Sequence, residues 1–245
     1  MWCASAARPS RGGFLKKRRS ETMKRRAVVL LSGGLDSTTA LCWAKAKGYR
    51  VVALSVRYGQ RHRRELASAR AVARFAKVPL QEVSMTLPWL RGSSLTNSAM
   101  RLPDVPLSQI GRGGVPSTYV PGRNTLFLAL AISLADVVGA EAVVIGANAL
   151  DYSGYPDCRG PFISAFSKVA KTGTRRGSQG KMMAILAPLL RLDKKGVVRL
   201  ARKLGAPLHL TWSCYAGKAR RCGRCDSCKL RAKGFFEAGL ADPAS

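Results

Sequence analysis

The sequence predicts an α/β fold in which a five-stranded parallel sheet carries helices on both faces. Three observations support this. Short β-branched and aliphatic runs alternate with longer stretches of helical period. The first run, residues 27–31, leads directly into Ser32-Gly33-Gly34-Leu35-Asp36-Ser37, after which Thr38-Thr39-Ala40-Leu41 continues with helical spacing. The chain has 245 residues, 47% of them hydrophobic, which is enough to bury one large core.

The elements follow in order. Residues 27–31 form the first strand, and a helix begins after Ser37. Residues 51–56 form the second strand. The helix over 63–76 places Leu66, Ala69, Val72, Ala73 and Ala76 on one face. A short third strand covers 80–83. A connector over 86–122, punctuated by Pro88, Pro103, Pro106, Pro116 and Pro121, is long enough to suggest a functional role. The helix over 125–138 takes Asn124 as its cap and closes at Gly139. Strand four covers 142–145, a polar loop spans 151–161, a helix covers 162–170 and strand five covers 183–186. The helix over 194–204 starts from Asp193 and stops at Gly205-Ala206-Pro207. A cysteine-rich segment and a short helix over 230–238 end the chain. The expected organisation is a basic extension over 1–24, an α/β domain over 25–207 and a terminal segment over 208–245.

Lys+Arg number 42 against 13 Asp+Glu, a net charge of +29. Such a chain attracts anions and nucleic acid without specificity. The basic residues are spread along the chain with few aromatics between them, which reads as a solvated basic surface rather than a nucleic-acid interface. The first 22 residues contain no apolar core of a signal peptide. No apolar stretch reaches the ~18 residues that span a bilayer. The longest, residues 126–138, is interrupted by Ser133 and Asp136. A cytoplasmic protein is expected. His62 and His209 are the only histidines, which argues against a histidine-based triad.

The turn at residues 32–37 has the chemistry of a phosphate loop. Two glycines permit a tight turn and close approach to a ligand. The unpaired N–H groups and dipole of the following helix favour an anion. A Walker A loop would end in Gly-Lys-Ser/Thr, and a dinucleotide fingerprint would carry three spaced glycines; neither pattern is present. The string instead resembles the pyrophosphate loop of the ATP pyrophosphatase (PP-loop) superfamily. That resemblance implies attack by a substrate oxygen on the α-phosphorus of ATP, giving an adenylate.

Four of the seven cysteines, Cys214, Cys222, Cys225 and Cys228, fall in Cys-x7-Cys-x2-Cys-x2-Cys spacing. The odd total and this spacing argue for a reducing compartment and against a disulfide framework. Paired Cys-x2-Cys units converge on one ion, and four thiolates close a tetrahedral Zn²⁺ site with no open position. The expected zinc is therefore structural. An iron–sulfur cluster is the alternative for the same ligand set. Lys218, Arg220, Arg221, Arg224 and Lys229 partly offset the cluster's negative charge. Cys42 reads as a small core residue, Cys3 lies in the extension, and Cys158 sits in a polar loop with no histidine beside it.

Two further strings narrow the resemblance. Ser117-Thr118-Tyr119-Val120-Pro121-Gly122-Arg123-Asn124 closes the connector, and Asp151-Tyr152-Ser153-Gly154-Tyr155-Pro156-Asp157-Cys158-Arg159 follows strand four. With the phosphate loop and the cysteine spacing, they resemble the 7-cyano-7-deazaguanine synthase (QueC) family over about residues 25–243. The resemblance implies a Rossmann-like fold of the adenine nucleotide alpha hydrolase type. It implies ATP-dependent conversion of 7-carboxy-7-deazaguanine and ammonia to 7-cyano-7-deazaguanine through an adenylated carboxylate and an amide. The ATP site it implies runs from Leu31 to Leu41. Ser32, Gly33, Gly34, Asp36 and Ser37 lie at the phosphates, and Leu35, Thr38, Thr39 and Ala40 complete the stretch. Mg²⁺ is expected with the phosphates. The family often carries Gln where Leu35 stands, a position expected to face solvent.

Asp36 and Ser37 are candidate catalytic residues. Arg123 has a planar fork suited to either a phosphate or the substrate carboxylate. Asp157 and Arg159 are candidates for orienting the base or its carboxylate, and Asp151 is a further one. Tyr119 and Tyr155 stack on a purine-like ring or pack their loops. Gln60, Arg61 and His62 follow strand two, at the strand ends where such folds collect ligands. The implied partners are the small acid and ammonia, without obligate nucleic acid or membrane, in a homodimer. A PP-loop tRNA-modifying enzyme of the thiolation or lysidine type accounts for the basicity but not for the middle and C-terminal motifs. A zinc-containing nucleic-acid-binding module leaves the phosphate loop idle.

Overall fold

Neighbouring Val28 and Val29 are both fully buried, in clusters on opposite sides of the sheet. Successive strand residues face opposite ways, so burial of both requires cover on both faces. The computed structural model describes residues 25–61, 64–149 and 154–244. In these, β1 (Arg26–Leu30) leads to α1 (Leu35–Ala46), β2 (Arg50–Arg57), α2 (Arg64–Ala76) and β3 (Leu80–Ser84). Then come α3 (Arg123–Val138), β4 (Ala142–Val144), α4 (Gly160–Thr172), the single turn α5 (Arg175–Ser178), β5 (Ala184–Leu186), α6 (Lys194–Lys203) and α7 (Asp226–Ala238).

The strands order as β3-β2-β1-β4-β5, all parallel. Val28 pairs with Val52 on one side and Val143 on the other. The chain winds outward through β2 and β3, then crosses back to β4. The direction of winding therefore reverses between β1 and β4, and such a reversal opens a crevice at the carboxyl ends of the strands. Leu41, Val72, Leu189, Val197 and Phe235 pack one face. Leu128, Val143 and Ile163 pack the other. Each side chain of this size contributes about 1.5–3 kcal/mol when fully buried. No helix among the described residues is long and apolar enough to cross a membrane.

The connector before α3 is ordered by its own small core of Leu90, Leu95 and Val120 against Tyr58. Ser94 N–H donates to the Ser117 carbonyl at 2.8 Å, and Arg61 donates to the carbonyl of Met100 at 2.9 Å. Several expectations are corrected. Leu35 does not face solvent: α1 begins there, and the side chain is buried in the core at 3% exposure. Asn124 does not cap α3. The helix starts at Arg123 after a left-handed Gly122 (φ 64°), and Asn124 is buried in its first turn. The last helix begins at Asp226, four residues before the expected start at 230. Asp193 caps α6 as expected, accepting from Gly196 N–H at 2.7 Å. The extension over 1–24, His62 and Asp151 lie outside the described residues.

Candidate active site

The glycine loop after β1 is shaped by close packing. Gly33 has φ +86°, and a Cβ there would lie 2.4 Å from both the Ala69 amide nitrogen and the Glu65 carbonyl oxygen of α2. A Cβ on Gly146, just beyond β4, would lie 2.9 Å from the backbone at Asp36 and Ser37. Both glycines permit backbone contacts that a side chain would block. Gly33→Ala is expected to cost about 3 kcal/mol or more from strain and overpacking together. Urea unfolding checks this, and a wild-type midpoint would contradict it.

Within the loop, Ser32 N–H donates to Ser37 Oγ at 3.2 Å, Ser37 Oγ donates to the Gly34 carbonyl at 3.2 Å, and Gly34 N–H donates to Ser32 Oγ at 3.3 Å. The N-cap of α1 is Gly34, which has no side chain with which to cap the helix. Its first N–H groups lack intrahelical carbonyl partners, and because Leu35, Asp36 and Ser37 border the crevice this helix end suits a phosphate. The crevice is a cleft of about 210 Å³ lined by Ser32, Gly34, Leu35, Asp36 and Ser37, together with Leu31. Thr38, Thr39, Ala40 and Leu41 are buried along α1 and do not line it. Thr39 Oγ1 donates back to the Leu35 carbonyl at 2.8 Å.

The structure reveals a partner for Asp36 that sequence reasoning passed over. Lys194 Nζ lies 2.9 Å from both carboxylate oxygens of Asp36, 158 positions away in sequence. The Lys194 side chain is only 6% exposed. It comes from the first turn of α6, and its stem packs where a Cβ on Gly234 of α7 would lie, 2.4 Å from Lys194 Cγ. A glycine at 234 therefore makes the room that this lysine needs.

Arg123, Asn124 and Cys158 form a further part of the cleft wall. Arg123 donates to Tyr58 Oη at 3.5 Å. Burial works against its charge, but the guanidinium's titration is still shifted upward, by Tyr58 beside it above all, and the group stays a cation. Asp157 stands behind this wall. It is buried and accepts from the Asn124 backbone N–H at 3.1 Å, while its own carbonyl accepts from Asn124 Nδ2 at 3.0 Å. Its carboxylate thus serves the N-terminus of α3, as a capping anion does. Arg159 is exposed at the residue before α4 and is not part of the cleft lining. Tyr155 lines the cleft, its ring 5.8 Å from Tyr119 and its hydroxyl 2.7 Å from Thr118 Oγ1. Gln60 is buried beside the cleft and accepts from Tyr58 N–H at 2.9 Å, whereas Arg61 braces the connector.

Burial raises the Cys158 thiol to about 12, and neighbouring Asp157 adds to the rise. The group is therefore a neutral thiol at pH 7, not a thiolate nucleophile. A folded-state value above the usual 9.0 favours the protonated native state, so this contribution is complete below pH 9 and declines as pH rises toward 12. Iodoacetamide is expected to leave Cys158 unmodified in the native protein at pH 7 and to label it on unfolding. Peptide mass mapping checks this, and rapid native labelling would contradict it.

One buried group in the cleft awaits a partner. Ser55 on β2 is 2% exposed, lines the cleft, and its Oγ has no hydrogen-bond partner among the described residues. Burying a hydroxyl without a bond is costly, so a polar ligand atom is a natural complement.

The four cysteine sulfurs lie within 4.8 Å of one another. Tetrahedral Zn–S bonds of ~2.3 Å place sulfurs about 3.8 Å apart, so the cage fits a single zinc ion. A four-iron cluster puts each thiolate on a different iron and would spread them more widely. Backbone N–H groups of Ala216 and Cys222 point at Cys214 Sγ (3.4 and 3.3 Å), and that of Cys225 points at Cys222 Sγ (3.3 Å). Cys225 and Cys228 hold the Cys214 thiol well below the usual range and are themselves held above it. Crowded thiols resist ionising together unless a cation balances them, which is the chemistry of a metal cage. The segment also supplies Ser213, Tyr215, Ser227 and Arg231 to the cleft wall.

A family model described as queuosine biosynthesis protein QueC matches residues 26–239. The chain is 52% identical over 221 residues to the 7-cyano-7-deazaguanine synthase of Anaeromyxobacter dehalogenans, covering 89% of this chain and 94% of that one. It is 51% identical to the enzyme of the same name from Desulfitobacterium hafniense, over 89% of this chain and 92% of that one. Among solved structures, NMN synthetase from Francisella tularensis is similar at 17% identity and a TM-score of 0.47, covering 89% and 79% of the two chains. With half its residues identical to those relatives along nearly their full length, the chain belongs to the QueC family.

Proposed function

We propose that this chain is a 7-cyano-7-deazaguanine synthase, a ligase that joins 7-carboxy-7-deazaguanine to ammonia at the expense of ATP and dehydrates the product to the nitrile. The observation that carries the reading is one cleft at the sheet's switch point, lined together by the glycine loop, the Asp36–Lys194 pair and Arg123.

A carboxylate resists attack by ammonia because its oxygen leaves badly. Transfer of AMP from ATP to that oxygen, with loss of pyrophosphate, makes it a leaving group. Ammonia then adds at the carbon, AMP departs, and an amide remains. A second adenylation, now of the amide oxygen, releases pyrophosphate and one N–H proton; loss of AMP and the second N–H proton then gives the nitrile. Little of this needs a nucleophile from the protein; positioning and charge stabilisation suffice.

Ser32, Gly34, Ser37 and the first N–H groups of α1 hold the phosphates in this reading. Lys194 stands where a developing pyrophosphate charge needs a cation, and Asp36 orients its ammonium. Arg123 holds the substrate anion, and Tyr58 steadies the guanidinium. Asp157 acts one layer back by fixing the turn that presents Arg123. Mg²⁺ supplies charge neutralisation at the phosphates when bound. Cys214, Cys222, Cys225 and Cys228 hold zinc in a structural role.

Mass spectrometry of a reaction with 7-carboxy-7-deazaguanine, ammonium and Mg–ATP tests the proposal. The nitrile is expected, with AMP and pyrophosphate formed alongside. ATP turnover that requires RNA and yields no nitrile would overturn it.

A further inference from the structure

A buried tryptophan joins the four-cysteine segment to the phosphate loop. Trp212 N–H donates to the Gly33 carbonyl at 2.9 Å. Its indole Nε1 donates to the carbonyl of Cys214 at 3.1 Å. Two guanidiniums lie over the ring, with Arg64 Cζ 4.4 Å and Arg221 Cζ 5.4 Å from its centroid. Arg64 opens α2, the helix on which Gly33 packs, and also donates to the Ala219 carbonyl inside the cysteine segment. Arg221 is itself anchored, donating to the Thr211 carbonyl and to Asp242, each at 3.0 Å.

The consequence follows from the planarity of the peptide bond. The Gly33 carbonyl and the Gly34 N–H belong to one peptide unit and point in opposite directions. Glycines on both sides leave that unit free to rotate. The bond from Trp212 fixes its carbonyl and therefore aims the Gly34 N–H at Ser32 Oγ, 3.3 Å away on the lining of the cleft.

We propose that Trp212 is a positioning residue through which the four-cysteine site sets the phosphate loop, so that zinc retention and ATP affinity are thermodynamically coupled. The inference rests on the reading that this loop holds the phosphates of ATP. Metal at Cys214 fixes the carbonyl that orients the indole, and the Trp212 backbone fixes Gly33. Coupling between two sites is reciprocal, so ATP must retain zinc by the factor with which zinc improves ATP binding.

Transfer of zinc from the wild-type protein to a chromophoric chelator, with and without saturating Mg–ATP, gives the first readout. At equilibrium against the chelator, ATP is expected to raise zinc retention several-fold. Calorimetry gives the second: Trp212→Leu is expected to weaken ATP binding about tenfold. It should keep one zinc per chain, and ATP should no longer raise its retention. Trp212→Phe, which keeps an aromatic ring against the guanidiniums but loses the indole N–H, should fall between the two. A role confined to stability would lower the unfolding temperature of Trp212→Leu and leave ATP affinity unchanged. That result, or a wild-type zinc affinity indifferent to bound ATP, overturns the coupling. Wild-type protein that fails to bind ATP at all overturns the phosphate-loop reading instead. The wild-type comparison decides the question even if Trp212→Leu does not fold.

Discussion

Asp36→Ala is expected to reduce nitrile formation by at least about 10³-fold, the scale on which removal of a preorganised charged group is felt at a reacting centre. It should also cost stability. The Lys194 ammonium is held by the two Asp36 oxygens with only 6% of its side chain exposed. Without the carboxylate, a buried charge is stranded, at about 3 kcal/mol. The two effects separate in the double variant Asp36→Ala/Lys194→Met. Methionine keeps the unbranched stem that packs over Gly234 and removes the stranded charge. Stability should therefore return to within about 1 kcal/mol of wild type, while activity should not return. Urea melts and product formation on all four members of the cycle check this. A double variant that recovered turnover would show the pair to be a structural strut and not part of the phosphate machinery.

The parts of this site that were legible in the sequence are those whose chemistry is local. The loop at 32–37 sits between a strand run and a helix run, and its glycines mark the turn. The cysteine cage is set by short spacings, and the four sulfurs do converge. Lys194 was hidden because its meaning depends on a partner 158 positions away, in a chain with 42 lysines and arginines. Its one local signal is its position just inside a capped helix end. Asn124 looked like a helix cap because it follows a Pro-Gly turn. Left-handed Gly122 ends that turn and starts the helix two residues sooner, and Asp157 reaches across from another loop to bind the buried Asn124 N–H. Leu35 looked solvent-facing because the helix was expected to begin three residues later, after Ser37. Starting α1 at Leu35 turns that side chain into the core beneath the loop. The early start of α7 has a related cause. The turn that brings Cys225 to the cage runs directly into helical backbone, so Cys228 is presented from the helix itself.

Removing zinc is expected to destabilise far more than the terminal segment. Structural zinc sites in small domains contribute about 10–16 kcal/mol at neutral pH, because the cage does not exist in the unfolded chain. Here the cage orders residues that also serve the sheet. Phe235 of α7 lies in the core with Val197 and Leu189, and Gly234 packs against Lys194. Arg231 binds Asp242 through both carboxylate oxygens at 2.6 and 2.7 Å and reaches Thr211 Oγ1 at 2.8 Å, tying the end of the chain to the segment before the cage. Loosening α7 exposes this face of α6 and removes Ser213, Tyr215 and Ser227 from the cleft wall. Cys222→Ser, at the more exposed of the ligand positions, is therefore expected to reduce zinc from one per chain to none. It should lower the thermal midpoint by 10 °C or more, which corresponds to about 3–5 kcal/mol for a domain of this size. Metal analysis beside thermal unfolding monitored by circular dichroism checks both. Stoichiometric iron in place of zinc in the wild type would reassign the cage, and an unchanged midpoint in a zinc-free variant would show that the core of α6 and α7 holds without it.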